Sequence, residues 1–121
     1  MNPFEPLLLF VYGTLKRGER NHPLLMDEKY LGDTGTSPNY LLVDLGRYPG
    51  MVKKPHGGFS VQGELFEIPY SLLIELDKIE GSPYLFNLEL ITLADGSKAF
   101  SYLYKQSIEG ERILSEGVWR S

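Results

Sequence analysis

The run Leu7-Leu8-Leu9-Phe10-Val11, passing directly into Tyr12-Gly13-Thr14-Leu15, constrains this chain more than any other stretch. Consecutive apolar residues without polar alternation predict a central strand buried on both faces, so the rest of the chain has to wall it in. Pro3 and Pro6 keep the approach to it extended. At its far end, Gly-Thr followed by Lys16-Arg17-Gly18 leaves backbone N–H groups beyond the reach of a ladder. Such groups, beside a glycine that tolerates close approach, can form a concave donor site for an anion or a carbonyl oxygen. The loop is no phosphate loop, lacking a Gly-Lys-Ser/Thr ending, and no dinucleotide fingerprint, lacking the further glycines. A strand end that merely turns through glycine fits the same residues.

At 121 residues the chain is expected to form one domain, 1–121, around a single core. An apolar fraction of 42%, with eight Tyr, six Phe and one Trp, belongs to a globular chain rather than a disordered one. A formal charge of −4 argues against nucleic acid as a partner, because phosphate binding needs a basic surface. The absence of cysteine removes disulfides, thiolate nucleophiles and soft metal sites together. With only His22 and His56 to contribute imidazole, no metal site is expected. The N-terminus has no basic segment, and the apolar run after it is too short for a signal sequence or a bilayer span. The expectation is a cytoplasmic protein without a membrane partner, monomeric or weakly self-associating.

In chain order, residues 16–22 read as a loop that ends at Pro23, and Leu24-Leu25-Met26 as a short helical turn. The two glycines between Tyr30 and Thr36 suit a bulged strand. Tyr40–Leu45 is a further strand, which Gly46-Arg47-Tyr48-Pro49-Gly50 breaks as a turn. Residues 61–68 form another strand, whose Gly63 marks a bulge or a close backbone neighbour. Ser71 is positioned to cap a helix whose apolar face is Leu72, Leu73, Leu76 and Ile79. Gly81 and Pro83 stop that helix near Glu80. Leu85–Leu93 and Lys98–Tyr104 make a hairpin about Asp95-Gly96, and the polar remainder is a partly ordered tail that returns Trp119 to the core. Together these elements predict an α+β domain, a small mixed β-barrel flanked by short helices.

Glu80 is the residue with the clearest chemical potential. A carboxylate in the last turn of a helix meets the negative end of the helix dipole, and Leu76 and Ile79 beside it imply inward packing. Both effects raise a carboxyl pKa, and proton-transfer sites use raised carboxyls. A solvated helix end accounts for the same residues. Serine-nucleophile chemistry has no support, since no Gly-x-Ser-x-Gly occurs and neither histidine has an orienting acid. His22 is a candidate rim contact, whereas Tyr48, Tyr84, Tyr102 and Trp119 read as core or interface aromatics.

Residues 11–18, Val-Tyr-Gly-Thr-Leu-Lys-Arg-Gly, with Asn21-His22, resemble the N-terminal signature of the gamma-glutamylcyclotransferase-like family, and most nearly its small gamma-glutamylamine cyclotransferase branch. Tyr48-Pro49-Gly50, Val61-Gln62-Gly63-Glu64-Leu65 and Leu76-Asp77-Lys78-Ile79-Glu80-Gly81 with Pro83 resemble three further family motifs in the same order. The resemblance implies a compact mixed barrel in which Tyr12, Gly13, Thr14 and Leu15 hold the glutamyl end of a small-molecule gamma-glutamyl substrate. It implies Glu80 as general base and acid, with no cofactor. The implied reaction is a lyase-type or transferase-type cyclisation of a gamma-glutamyl amine or related amide to 5-oxoproline and free amine. One departure stands out: the family's Tyr-x-Arg falls on Phe86 and Leu88, for which Tyr84 offers a replacement hydroxyl. That departure keeps open a non-catalytic module of the same fold, binding a small carboxylate or a peptide terminus.

Overall fold

The computed structural model describes residues 5–121. Its strands are β1 (Pro6–Val11), β2 (Lys29–Gly35), β3 (Tyr40–Asp44), β4 (Pro49–Lys53), β5 (Gln62–Pro69), β6 (Phe86–Thr92), β7 (Lys98–Tyr104) and β8 (Arg112–Ile113). One α-helix, α1 (Leu73–Glu80), follows a 3-10 turn at Tyr70–Leu72, and a second 3-10 turn covers His22–Leu25. No helix among the described residues is long and apolar enough to cross a membrane.

The strands form two sheets, a five-stranded one ordered β2-β5-β1-β7-β6 and a three-stranded one ordered β4-β3-β8. The closed barrel expected from the sequence is therefore not what the strands make. Edge strands β2 and β6 meet at one corner only, where Thr36 and Leu93 form an isolated antiparallel bridge. The twist that brings these edges together is not matched by a continuous ladder between them.

Strand β1 holds the middle of the larger sheet, antiparallel to β5 and parallel to β7 at Leu9–Phe100. Its period of two explains the unbroken apolar run, because each face meets a different core. Phe10 and Tyr12 enter a cluster with Leu42 and Met51 of the smaller sheet. Leu9 and Val11 enter another with Leu73 and Leu76 of α1. The result is three layers, with β1 between the small sheet and the helix. Burying a side chain such as Phe10 completely contributes about 1.5–3 kcal/mol.

Several local expectations hold. The register of β2 against β5 shifts between Tyr30 and Gly32, as a bulge requires. A Cβ on Gly63 would lie 2.2 Å from the Val11 carbonyl oxygen, so this glycine exists for a backbone neighbour. The hairpin of β6 and β7 pairs Phe86–Thr92 with Lys98–Tyr104 as expected. Trp119 is 4% exposed, within the core.

Other expectations need correction, and Pro3 lies outside the described residues. Pro49-Gly50 opens β4 instead of forming a turn; the turn lies just before it, where Gly46 takes φ 97° and Leu45 N–H donates to Tyr48 O. Proline is tolerated there because β4 is an edge strand and Pro49 is its first residue. Ser71 does not cap α1, since extended Pro69 feeds the chain into the 3-10 turn and places Ser71 inside it. Ile79 is 52% exposed, outside the face of α1 that buries Leu73 and Leu76. The tail is better ordered than expected, β8 pairing with β3 and Gln62 N–H donating to Gly117 O.

Candidate active site

The end of β1 and the end of α1 open onto one cleft of about 170 Å³. Tyr12, Gly13, Thr14 and Leu15 line it from one side and Glu80 from another, with Tyr48, Phe86 and Tyr102 among the remaining walls. All five residues singled out from the sequence thus share one space.

Gly13 is the hinge of the loop for a steric reason. A Cβ there would lie 2.7 Å from Pro49 Cγ, so only glycine lets the loop pack on the first residue of β4. The N–H groups of Gly13, Thr14 and Leu15 meet no acceptor among the described residues. Their carbonyls are by contrast engaged: Gly13 O accepts from Lys16 N–H, Thr14 O from Asn21 N–H, and Leu15 O from His22 Nδ1–H at 3.0 Å. Asn21 Nδ2 also donates to Thr14 Oγ1 at 3.0 Å. The loop is braced through its acceptors, which leaves a row of donors available, the arrangement of an anion or oxyanion site.

The four loop residues are not equivalent. The Leu15 side chain belongs to the core, so only its backbone can serve a ligand. Tyr12 is buried, and its hydroxyl donates to Tyr102 O at 2.5 Å while accepting from Met51 N–H at 3.1 Å. Burial, together with the charge of Glu80, pushes its phenol further up, so it stays protonated and joins β1, β4 and β7 as a neutral pin. His22, expected at the rim, instead packs on Phe66 behind the loop and is not a wall of the cleft.

Glu80 owes its position to the end of α1. Gly81 adopts φ 64°, Gly81 N–H bonds to Lys78 O and Ser82 N–H to Asp77 O, a Schellman termination that holds Glu80 at the last helical position. Tyr102 Oη donates to Asp77 Oδ1 at 2.6 Å, tying the same turn to β7. Burial pushes the Glu80 carboxyl up from 4.5 to about 7. Of the two effects expected from the sequence, burial is the one that accounts for the shift. A carboxyl poised near neutrality can accept and return a proton with little driving force lost in either direction.

Residues 9–121 match the sequence profile of the family described as gamma-glutamyl cyclotransferase, AIG2-like. The chain belongs to that family. A Vibrio cholerae protein provisionally named a gamma-glutamylcyclotransferase is 38% identical over 112 residues, covering 93% of this chain and 94% of that one. A Rattus norvegicus gamma-glutamylaminecyclotransferase is 35% identical over 85 residues, 64% of this chain and 57% of the rat protein. The crystal structure of c4763, a uropathogenic E. coli-specific protein, superposes with a TM-score of 0.85 at 30% identity, covering 96% of this chain and 94% of that one. The protein is thus an enzyme of gamma-glutamylcyclotransferase type, with the α+β fold of its relatives.

Against this gamma-glutamylcyclotransferase background, the departure at Phe86 and Leu88 takes a definite shape. Phe86 is a wall of the cleft, whereas Leu88 is not and pairs across the hairpin with Tyr102. Tyr84, which the sequence offered as a replacement hydroxyl, is 80% exposed and away from the cleft. The tyrosines that do line the cleft are Tyr12, Tyr48 and Tyr102, and the charge of Glu80 acts on Tyr12 and Tyr102. Sequence reasoning assigned Tyr102 and Tyr48 to the core and passed over Arg20, a further wall of the cleft. Strand alternation along β7, with the hairpin register, is the signal that brings Tyr102 opposite Leu88; no local signal marks Arg20.

Proposed function

We propose that the protein cyclises the gamma-glutamyl group of an amine or related amide, releasing 5-oxoproline and the free amine, with Glu80 as base and then acid. One observation carries this reading: a carboxyl raised to about 7 and three unengaged loop N–H groups share a single small cleft.

The chemistry needs little else. The substrate's alpha-ammonium gives a proton to the Glu80 carboxylate, and the freed amine attacks its own gamma-carbonyl carbon. A five-membered ring closes, and negative charge gathers on the former carbonyl oxygen. Glu80 then returns the proton to the leaving nitrogen as its bond to carbon breaks, and the second proton on the ring nitrogen passes to the released amine, so the products are the neutral lactam, an ammonium ion and the restored carboxylate. The N–H groups of Gly13, Thr14 and Leu15 are the donors available for the alpha-carboxylate or the developing oxyanion. Because nucleophile and electrophile sit on one molecule, holding the substrate bent supplies much of the acceleration. A chain without cysteine loses nothing by this route, since the substrate brings its own nucleophile.

Purified protein incubated with a panel of gamma-glutamyl amides should form 5-oxoproline, and Glu80→Gln should lower kcat by ~10²-fold or more. Full activity in that variant would remove Glu80 from the mechanism.

A further inference from the structure

The walls of the cleft divide by exposure. Tyr12, Gly13, Thr14, Leu15, Phe86 and Tyr102 are buried and form its floor, whereas Arg20 and Ile79 are exposed and form its rim. The cleft, of about 170 Å³, opens to solvent past these two rim residues, so the end of a ligand not held on the floor faces them. With the glutamyl end on the floor among the loop N–H groups, the leaving amine would face the rim to which Arg20 and Ile79 belong.

Arg20 and Glu80 are the cleft's formally charged walls, and Arg20 is its cation. Its Nη1 donates to Arg47 O at 2.5 Å, in the turn between β3 and β4. That bond uses one donor of five and holds the guanidinium at the rim against a neutral carbonyl, leaving its charge uncompensated. Among the described residues no carboxylate lies within ion-pair distance of it. The neighbouring Arg17, by contrast, is engaged with Asp33 and Glu64. On a chain of net charge −4, a positioned and unpaired guanidinium is a local reversal of the field that an anionic substrate would meet. Guanidinium suits a carboxylate through two parallel N–H···O bonds.

We infer that Arg20 is a specificity-determining residue that selects gamma-glutamyl substrates whose leaving amine carries a carboxylate over those whose leaving amine is uncharged. The inference rests on the cyclotransferase reading and adds to it the half of the substrate that the floor does not see. Ile79 and Tyr48 are the walls available to the carbon atoms of that amine.

The test compares two substrates that differ only in the carboxylate, gamma-glutamyl-alpha-aminobutyrate and gamma-glutamyl-propylamide, in wild type, Arg20→Gln and Arg20→Lys. Wild type should favour the carboxylate substrate in kcat/KM by roughly 10–100-fold, mainly through KM, with the preference shrinking as salt rises. The ratio should collapse toward one in Arg20→Gln and recover in part in Arg20→Lys, which keeps the charge without the fork. A wild-type ratio near one, or a ratio that Arg20→Gln leaves intact, would overturn the inference and leave the cyclotransferase reading standing. An equal loss on both substrates would place Arg20 at the glutamyl end and overturn it too. Turnover of neither by wild type would remove the cyclotransferase reading and this inference together.

Discussion

Tyr102 and Asp77 are joined by a 2.6 Å hydrogen bond from the phenol to the carboxylate, three residues before Glu80. The bond fastens the last turn of α1 to β7, the strand whose Tyr102 carbonyl also accepts from Tyr12. One residue therefore couples the acid's helix to the donor loop's strand. Tyr102→Phe should lower thermal stability by about 1–2 kcal/mol, the cost of losing a partly buried bond to a charged acceptor. It should also lower kcat more than it raises KM, because the acid, not the binding floor, is set free. Urea melts alongside steady-state kinetics check both parts; a variant with wild-type kcat would show that the Schellman turn alone positions Glu80.

Glu80 must be ionised to take the first proton. With its carboxyl pushed up to about 7, kcat/KM should climb about tenfold per pH unit below neutrality and flatten above it. A pH–rate profile on any turned-over substrate measures this, and a limb near pH 4.5 would show that the carboxyl behaves as an ordinary one.

The same shift has a stability consequence. The folded carboxyl titrates at about 7 instead of 4.5, so between these values the native state binds more protons than the unfolded chain. Stability from this group is therefore fully present below pH 4.5 and is lost as pH rises through 7. Glu80→Gln removes the titration. At pH 8 the variant should be more stable than wild type by about 1–3 kcal/mol, nearer the lower figure because the residue is only partly buried. At pH 4 the two should melt together. Equal stability at pH 8 would mean that the ionised carboxylate is not strained in its site.

Gly13→Ala would drive a methyl group into the Pro49 ring, where contact is already at its limit. A fused ring in a paired strand cannot swing aside, so the loop itself has to move. The expected cost is about 1–3 kcal/mol of stability and a raised KM, read by melting and by substrate titration. Wild-type KM would show that the loop amides can shift without weakening the substrate's grip.

The sequence carried much of this fold because its strongest signals are local. The apolar run at Leu7–Val11 needs two cores to satisfy it, and Gly81 can end a helix only one way. Asp95-Gly96 announces its hairpin. What the sequence did not show depends on distance along the chain. Pro49-Gly50 looks like a turn until an edge position makes it a strand. Tyr102 is core, as its sequence suggests, but only the fold shows that it also lines the cleft and bonds to Asp77 near the end of α1. Ile79 follows the helical period of Leu72 and Leu76, yet it is exposed and lines the cleft. The α+β class was legible, whereas closure into a barrel was not, because strand lengths and turns say nothing about whether two edges continue to pair after a single bridge. For the site, Glu80 and the loop were legible as separate features. Their shared cleft was not, because neither one's neighbours in sequence are its neighbours in space.

Lys16 Nζ donates to Trp119 O at 2.6 Å, across 103 positions of chain. That separation gives the donor loop a non-local tie, whose closure costs more chain entropy than the loop's own bonds from Lys16 N–H to Gly13 O and from Asn21 N–H to Thr14 O. The loop's local sequence shapes it, but only the long-range packing of the fold completes the wall it belongs to.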